Sequence, residues 1–84
     1  MKLVLVDWVD SHSGRGWRNF DELKETATPL YCRSVGWLLT ETKGCFVLVP
    51  HIYAEKNGAI VHQGCGDMTI PKRAVGKITV LRTT

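Results

Sequence analysis

The sequence predicts a mainly β, α+β domain: a small SH3-like antiparallel barrel of five to six strands, with one short helix after the first strand. Three observations predict it. Short runs of β-branched, aliphatic and aromatic residues are separated by turns bearing Gly, Pro and Asn. The last two runs are joined by a single Pro-initiated turn, Pro71 to Val75, as in the closing turn of an SH3-like barrel. The chain has 84 residues, which allows one domain, 1–84, around one core.

Each element follows from its residues. Leu3 to Val9 reads as a strand with apolar residues on both faces: Val4, Val6 and Trp8 on one, Leu3, Leu5 and Val9 on the other. A strand apolar on both sides belongs in the middle of a sheet. Asn19 reads as a helix N-cap with Glu22 three positions on, as in a capping box. Phe20, Leu23 and Ala27 then make an i, i+3, i+7 stripe expected to face the core. Thr26, Thr28 and Pro29 stop the helix after about two turns, so it depends on tertiary packing to persist. Leu30 to Thr42 reads as one long strand, with Gly36 marking a bulge or sharp bend. Lys43-Gly44 turns the chain into Cys45 to Val49, and Pro50 ends or kinks that strand. Ile52 to Glu55 and Ala59 to His62 form a hairpin across the turn Lys56-Asn57-Gly58. Gly64 to Asp67 is a loop, Met68 to Ile70 a short strand, Pro71 to Val75 one 3₁₀ turn and Lys77 to Leu81 the last strand. Trp8 and Trp37 are expected in the core.

Composition narrows the function classes. The hydrophobic fraction is 44% and the charged fraction 23%, which argues for a folded chain. No apolar run approaches the roughly 18–20 residues of a membrane helix. The opening residues, MKLVLVDWVD, are broken by Asp7 too early for a signal peptide. Cys32, Cys45 and Cys65 are odd in number, which fits a reducing, cytoplasmic setting with each thiol packed as a small hydrophobe. The net charge of +3 favours anionic partners only mildly and argues against nucleic acid. Lys72, Arg73, Lys77 and Arg82 read as a solvated basic surface.

One segment carries binding chemistry: Asp10, Ser11, His12, Ser13, Gly14, Arg15, Gly16, Trp17 and Arg18. Both glycines can take positive φ and turn their backbone amides outward, and successive amides of that kind form an anion-binding nest. Ser11 and Ser13 add hydroxyls, and Arg15 and Arg18 can hold phosphate in bidentate fashion. Trp17 offers a face on which a base can stack. The segment also runs into a helix N-terminus, which favours anions. Phosphate plus base is what a nucleotide presents. The plainer reading is a solvated connector, with Arg15 paired to Asp10 and Trp17 packed on the helix. No Gly-Lys-Ser/Thr ending makes the segment a P-loop. Arg33, in a strand beside apolar residues, is a further candidate for the same site.

Metal and catalytic readings are weaker. His62 and Cys65 have ligand-like spacing, with Cys45 or His51 as possible additions, but no Cys-x-x-Cys pair accompanies them, so neither metal nor cofactor is expected. Asp7, Asp10 and His12 form no regular acid–base set, because positions three apart on a strand face opposite ways. No catalytic motif is present, and the chain is read as a binder and not an enzyme.

The pattern Asp7-Trp8-Val9-Asp10-Ser11, Gly16-Trp17, Cys32-Arg33-Ser34-Val35-Gly36-Trp37-Leu38 and Ile70-Pro71 resembles small uncharacterised proteins encoded by bacteriophages and prophages. The resemblance covers most of the chain. It implies a small barrel in the cytoplasm of an infected bacterial host, and supplies no active site. In that setting a chain of this kind is expected to sequester a nucleotide-like signalling molecule, cyclic or modified, and so counter host defence. The alternatives are an SH3-like module that inhibits a host protein and a small barrel that binds nucleic acid. A chain this short has little room for an enclosed pocket of about 300–1,000 Å³. A homo-oligomer with the ligand at or near a subunit interface is therefore expected.

Overall fold

The computed structural model describes residues 1–82, with the side chains of Ile60 and Val61 outside the description. Seven strands, one α-helix and one 3₁₀ turn follow in order: β1 (Lys2–Asp10), α1 (Phe20–Glu25), β2 (Leu30–Glu41), β3 (Cys45–Val49), β4 (His51–Ala54), β5 (Ile60–Cys65), β6 (Met68–Pro71), the 3₁₀ turn (Lys72–Ala74) and β7 (Val75–Val80). Five strands make one antiparallel sheet in the order β6-β3-β2-β1-β7, and β4 and β5 pair separately. β1 is thus flanked on both sides, as its two apolar faces require.

The expected barrel is seen here only as an open sheet. Its two edge strands, β6 and β7, are consecutive in sequence and joined by the 3₁₀ turn, but no ladder pairs them among the described residues. The Lys72 amide donates to the Gly44 carbonyl (2.8 Å) and the Lys72 ammonium reaches Glu41 (3.1 Å). That pair of contacts ties the 3₁₀ turn to the β2–β3 connection. It also engages one member of the basic group Lys72, Arg73, Lys77 and Arg82.

Residues opposite one another in a ladder share a face. Val4 faces Gly36, Val6 faces Ser34 and Ile78, and Leu48 lies beside Leu38. Val4, Val6, Leu48 and Ile70 are buried together there, with Trp8, Leu38, Ala74, Val75 and Ile78 packed against them. Gly36 does not form the expected bulge. It pairs regularly with Val4, and a Cβ there would stand 3.3 Å from Leu48 Cβ and from the Val49 carbonyl, a tight approach that a side chain could enter only if these neighbours gave by a few tenths of an ångström. The β2 bulge falls instead at Leu39, between the Leu38–Leu48 and Thr40–Val47 pairs, and a second bulge lies in β7 at Gly76. Trp8 sits at the rim of the core and its indole N–H donates to Ser34 Oγ (3.0 Å). Trp37 lies on the opposite face of the sheet, half-buried beside Leu3 and Val49, and so is not part of that core.

Two excursions leave this body. The β4–β5 hairpin turns at Lys56-Asn57-Gly58, where Gly58 has φ +88° and Asn57 Oδ1 accepts the Ala59 amide. Gly64 and Cys65, expected in a loop, complete β5, and the chain turns at Gly66 with φ +77°. Cys65 is exposed there, while Cys32 and Cys45 are half-buried, so only two of the three thiols act as small packed groups. The second excursion is the arm between β1 and β2. The whole run from Val9 to Tyr31 is exposed, α1 included. The Phe20–Leu23–Ala27 stripe therefore does not face the core as expected. The helix is carried off the end of the β1–β2 ribbon, and none of its residues is buried. The principal extents are 58 × 26 × 24 Å and the radius of gyration is 17.1 Å, against about 12 Å for a compact chain of this length.

Candidate functional site

The arm is closed at its base by the last rung of the β1–β2 ladder, Asp10 opposite Leu30. A second tie lies just above it: His12 Nε2 is 2.6 Å from the Thr28 carbonyl. A carbonyl only accepts, so Nε2 carries the proton and donates. These two links hold the outgoing limb, 11–18, and the returning limb, 26–29, at a fixed spacing. Between them lies an open hollow of about 780 Å³. One wall is Asp10, Ser11, His12, Ser13, Gly14 and Arg18, and the other is Leu23, Thr26, Ala27, Thr28 and Pro29, with Val9 at the base.

The local sequence explains the geometry. Asn19 caps α1 as expected, its side chain accepting the Glu22 amide (2.9 Å). Thr26 ends the helix, with its hydroxyl donating to the Leu23 carbonyl (3.0 Å). The Arg18 guanidinium lies so close over Gly14 that a Cβ at position 14 would collide with it. Glycine at 14 thus makes room for the arginine. Positive φ is not its role, since only Gly16 in this segment has it, at +78°. Among the described residues, no protein acceptor takes the amides of Gly14 and Gly16.

The predicted site residues divide into two groups. Asp10, Ser11, His12, Ser13, Gly14 and Arg18 come together around the hollow, whereas Arg15, Gly16 and Trp17 do not line it. Trp17 is fully exposed at the outside of the arm, neither packed on the helix nor stacked over the hollow. The Ser11 amide donates to Asp10 Oδ1 (2.8 Å), so that amide is already engaged and Asp10 is not paired with Arg15. Arg33 is elsewhere. It stands opposite Asp7 in the ladder and binds its carboxylate (Nε to Oδ1, 2.7 Å). At the α1 N-terminus the Asn19 side chain already takes the Glu22 amide, and Asp21 and Glu22 stand in the first turn, where their charge opposes a bound anion.

Leu23, Thr26, Ala27, Thr28 and Pro29 were not anticipated as site residues. Their signal was present in the strand assignments: once Val9 and Tyr31 are placed in antiparallel partners, residues 11–29 must double back and the two limbs must face each other. Among the described residues, no three His, Cys, Asp or Glu side chains group together to hold a metal ion. None of the described helices is long and apolar enough to cross a membrane.

Comparison with known proteins adds no name to this geometry. No family model, no curated protein and no solved structure matches the chain.

Proposed function

We infer that the chain is a small binding protein that captures a phosphate-bearing, nucleotide-like molecule in the hollow of the arm. The observation that carries this reading is the convergence of Arg18, Ser11, Ser13 and Gly14 on one concavity of about 780 Å³. That volume is of ligand size. The Arg18 guanidinium lies over Gly14, and a guanidinium can offer two parallel donors to a phosphate oxygen pair. Leu23, Ala27 and Pro29 give the opposite wall an apolar surface suited to a base or sugar. The five-stranded antiparallel sheet, with a 3₁₀ turn between its two edge strands, supports the reading of an SH3-like barrel as the scaffold that displays the arm. With the phage resemblance, the physiological act is sequestration of a cyclic or modified nucleotide signal in the host cytoplasm. The hollow is open on one side, and a second copy in a homo-oligomer would complete it.

Calorimetric titration with a panel of cyclic nucleotides and with inorganic phosphate tests the reading. Binding that is lost in Arg18→Ala and kept in Arg33→Ala supports it; no heat with any member of the panel overturns it. A captured ligand should be released intact on heat denaturation, and an altered one would indicate catalysis.

A second reading has its own observation. Trp17, Phe20 and Tyr31 are exposed together on and beside the arm, and such aromatics anchor protein–protein contacts. An SH3-like module inhibiting a host protein would leave the hollow empty and lose its partner in Trp17→Ala.

A further inference from the structure

The sheet has a second apolar face. Ladder partners place Leu3 beside Trp37 and Leu5 beside Val35, with Val9 beside Tyr31 at the far end. This face is opposite the one that buries Val4 and Val6. Among the described residues, Gly64 of the β4–β5 hairpin packs on the Val49 side chain at one corner of this face. Val35 keeps 54% of its surface exposed and Tyr31 78%, while Leu3, Leu5 and Trp37 are half-buried. The arm meanwhile presents Phe20, 80% exposed, with Leu23 on the same side of α1 and Trp17 just before it. A six-residue helix does not hold by itself in water. One chain thus carries an uncovered apolar face and an uncovered apolar arm.

We propose that the arm of one copy packs on the outer sheet face of a second copy, and that the second copy's arm returns the contact in a two-fold exchange. Charge favours this pairing at α1 alone, because Arg15 and Arg18 beside Trp17 bring the arm as a whole to neutrality. α1 carries Asp21, Glu22 and Glu25 against a single lysine. The outer face carries Arg33 and Lys77 around the single Asp7, all three meeting in adjacent ladder positions. The area also suffices. Trp17, Phe20 and Tyr31 alone offer roughly 500 Å² per copy at the usual 150–250 Å² per aromatic. The sheet face supplies more, toward the roughly 800 Å² per partner of a standard interface. Because each copy gives one arm and receives one, the contact closes on itself and does not propagate into a filament. It does not rest on what the hollow binds.

The test is mass in solution by light scattering, with the arm and the face altered separately. The unaltered chain should run at twice its 9.4 kDa mass at tens of micromolar. Phe20→Ser on the arm and Val35→Lys on the face should each halve that mass. Both positions are exposed on the single copy and lie outside the hollow, so circular dichroism of the sheet should not change. Mixing the two variants should raise the mass above that of either alone, since one of the two contacts then joins an intact arm to an intact face. A monomeric unaltered chain, or a Val35→Lys or arm variant that remains dimeric, would overturn the exchange. Nucleotide titration of the same variants keeps the two readings apart: a dimer that binds no nucleotide refutes only the ligand reading.

Discussion

Asp7 and Arg33 stand directly opposite one another in the β1–β2 ladder, and their side chains meet at 2.7 Å between two apolar parts of the outer sheet face. Their positions divide Leu3, Leu5, Val35 and Trp37 from Val9 and Tyr31. The pair is solvated, with side-chain exposures of 34% for Asp7 and 70% for Arg33, so solvent screens its attraction. Asp7→Asn and Arg33→Ala should therefore each change unfolding stability in urea by less than about 1 kcal/mol. Arg33→Ala should leave nucleotide affinity unchanged, because the residue lies outside the hollow.

Ser34 has a different weight. Its hydroxyl accepts the Trp8 indole N–H at the rim of the core. Ser34→Ala leaves that donor without a partner in a partly buried place, at a cost of about 1–3 kcal/mol. Tryptophan fluorescence during denaturant unfolding would register the lowered midpoint. A midpoint unchanged from the unaltered protein would mean that water reaches the indole and satisfies it.

Gly36 and Gly44 make a matched pair. A methyl group at 36 would press on Leu48 Cβ and on the Val49 backbone, whereas a methyl group at 44 meets nothing within 4 Å. Gly36→Ala should destabilise the protein by about 1–3 kcal/mol through overpacking. Gly44→Ala should have little effect. Equal midpoints for the two variants would refute the close approach.

Arg18 is expected to dominate the hollow. Arg18→Ala should weaken binding of a phosphate-bearing ligand at least about tenfold, the usual worth of a hydrogen bond to a charged group. Arg15→Ala, on the outside of the arm, should change it far less. Gly14→Ala is a stricter probe, since the added methyl displaces the guanidinium without removing it. It should reduce affinity while leaving the net charge as it was. Titration calorimetry reads all three.

Much of the body was legible because its signals are local. Alternation of residue types along Leu3 to Val9, the Lys56-Asn57-Gly58 turn and the Pro71 turn each fix a piece of backbone without reference to the rest. Asn19 was legible for the same reason: a cap is decided within four residues. The destination of α1 was not. The Phe20–Leu23–Ala27 stripe marks a side that must be covered, yet nothing in a stripe states whether the cover comes from the same copy. Arg33 was misplaced for a related reason, as its partner Asp7 is distant in sequence and becomes adjacent only through the strand register. The segment 10–18 was found by its chemistry, but its division into a lining half and an outer half depends on how the returning limb folds against it.

The rung between Asp10 and Leu30 has a consequence for how this chain can vary. Everything from 11 to 29 hangs from a closed base and is exposed throughout. The entropy of such a closure grows by only about 0.6 kcal/mol per doubling of length. The arm can therefore be lengthened, shortened or rewritten while the scaffold beneath it stays the same. It is a replaceable tool on a fixed handle, and whatever it grips can change faster than the fold that carries it.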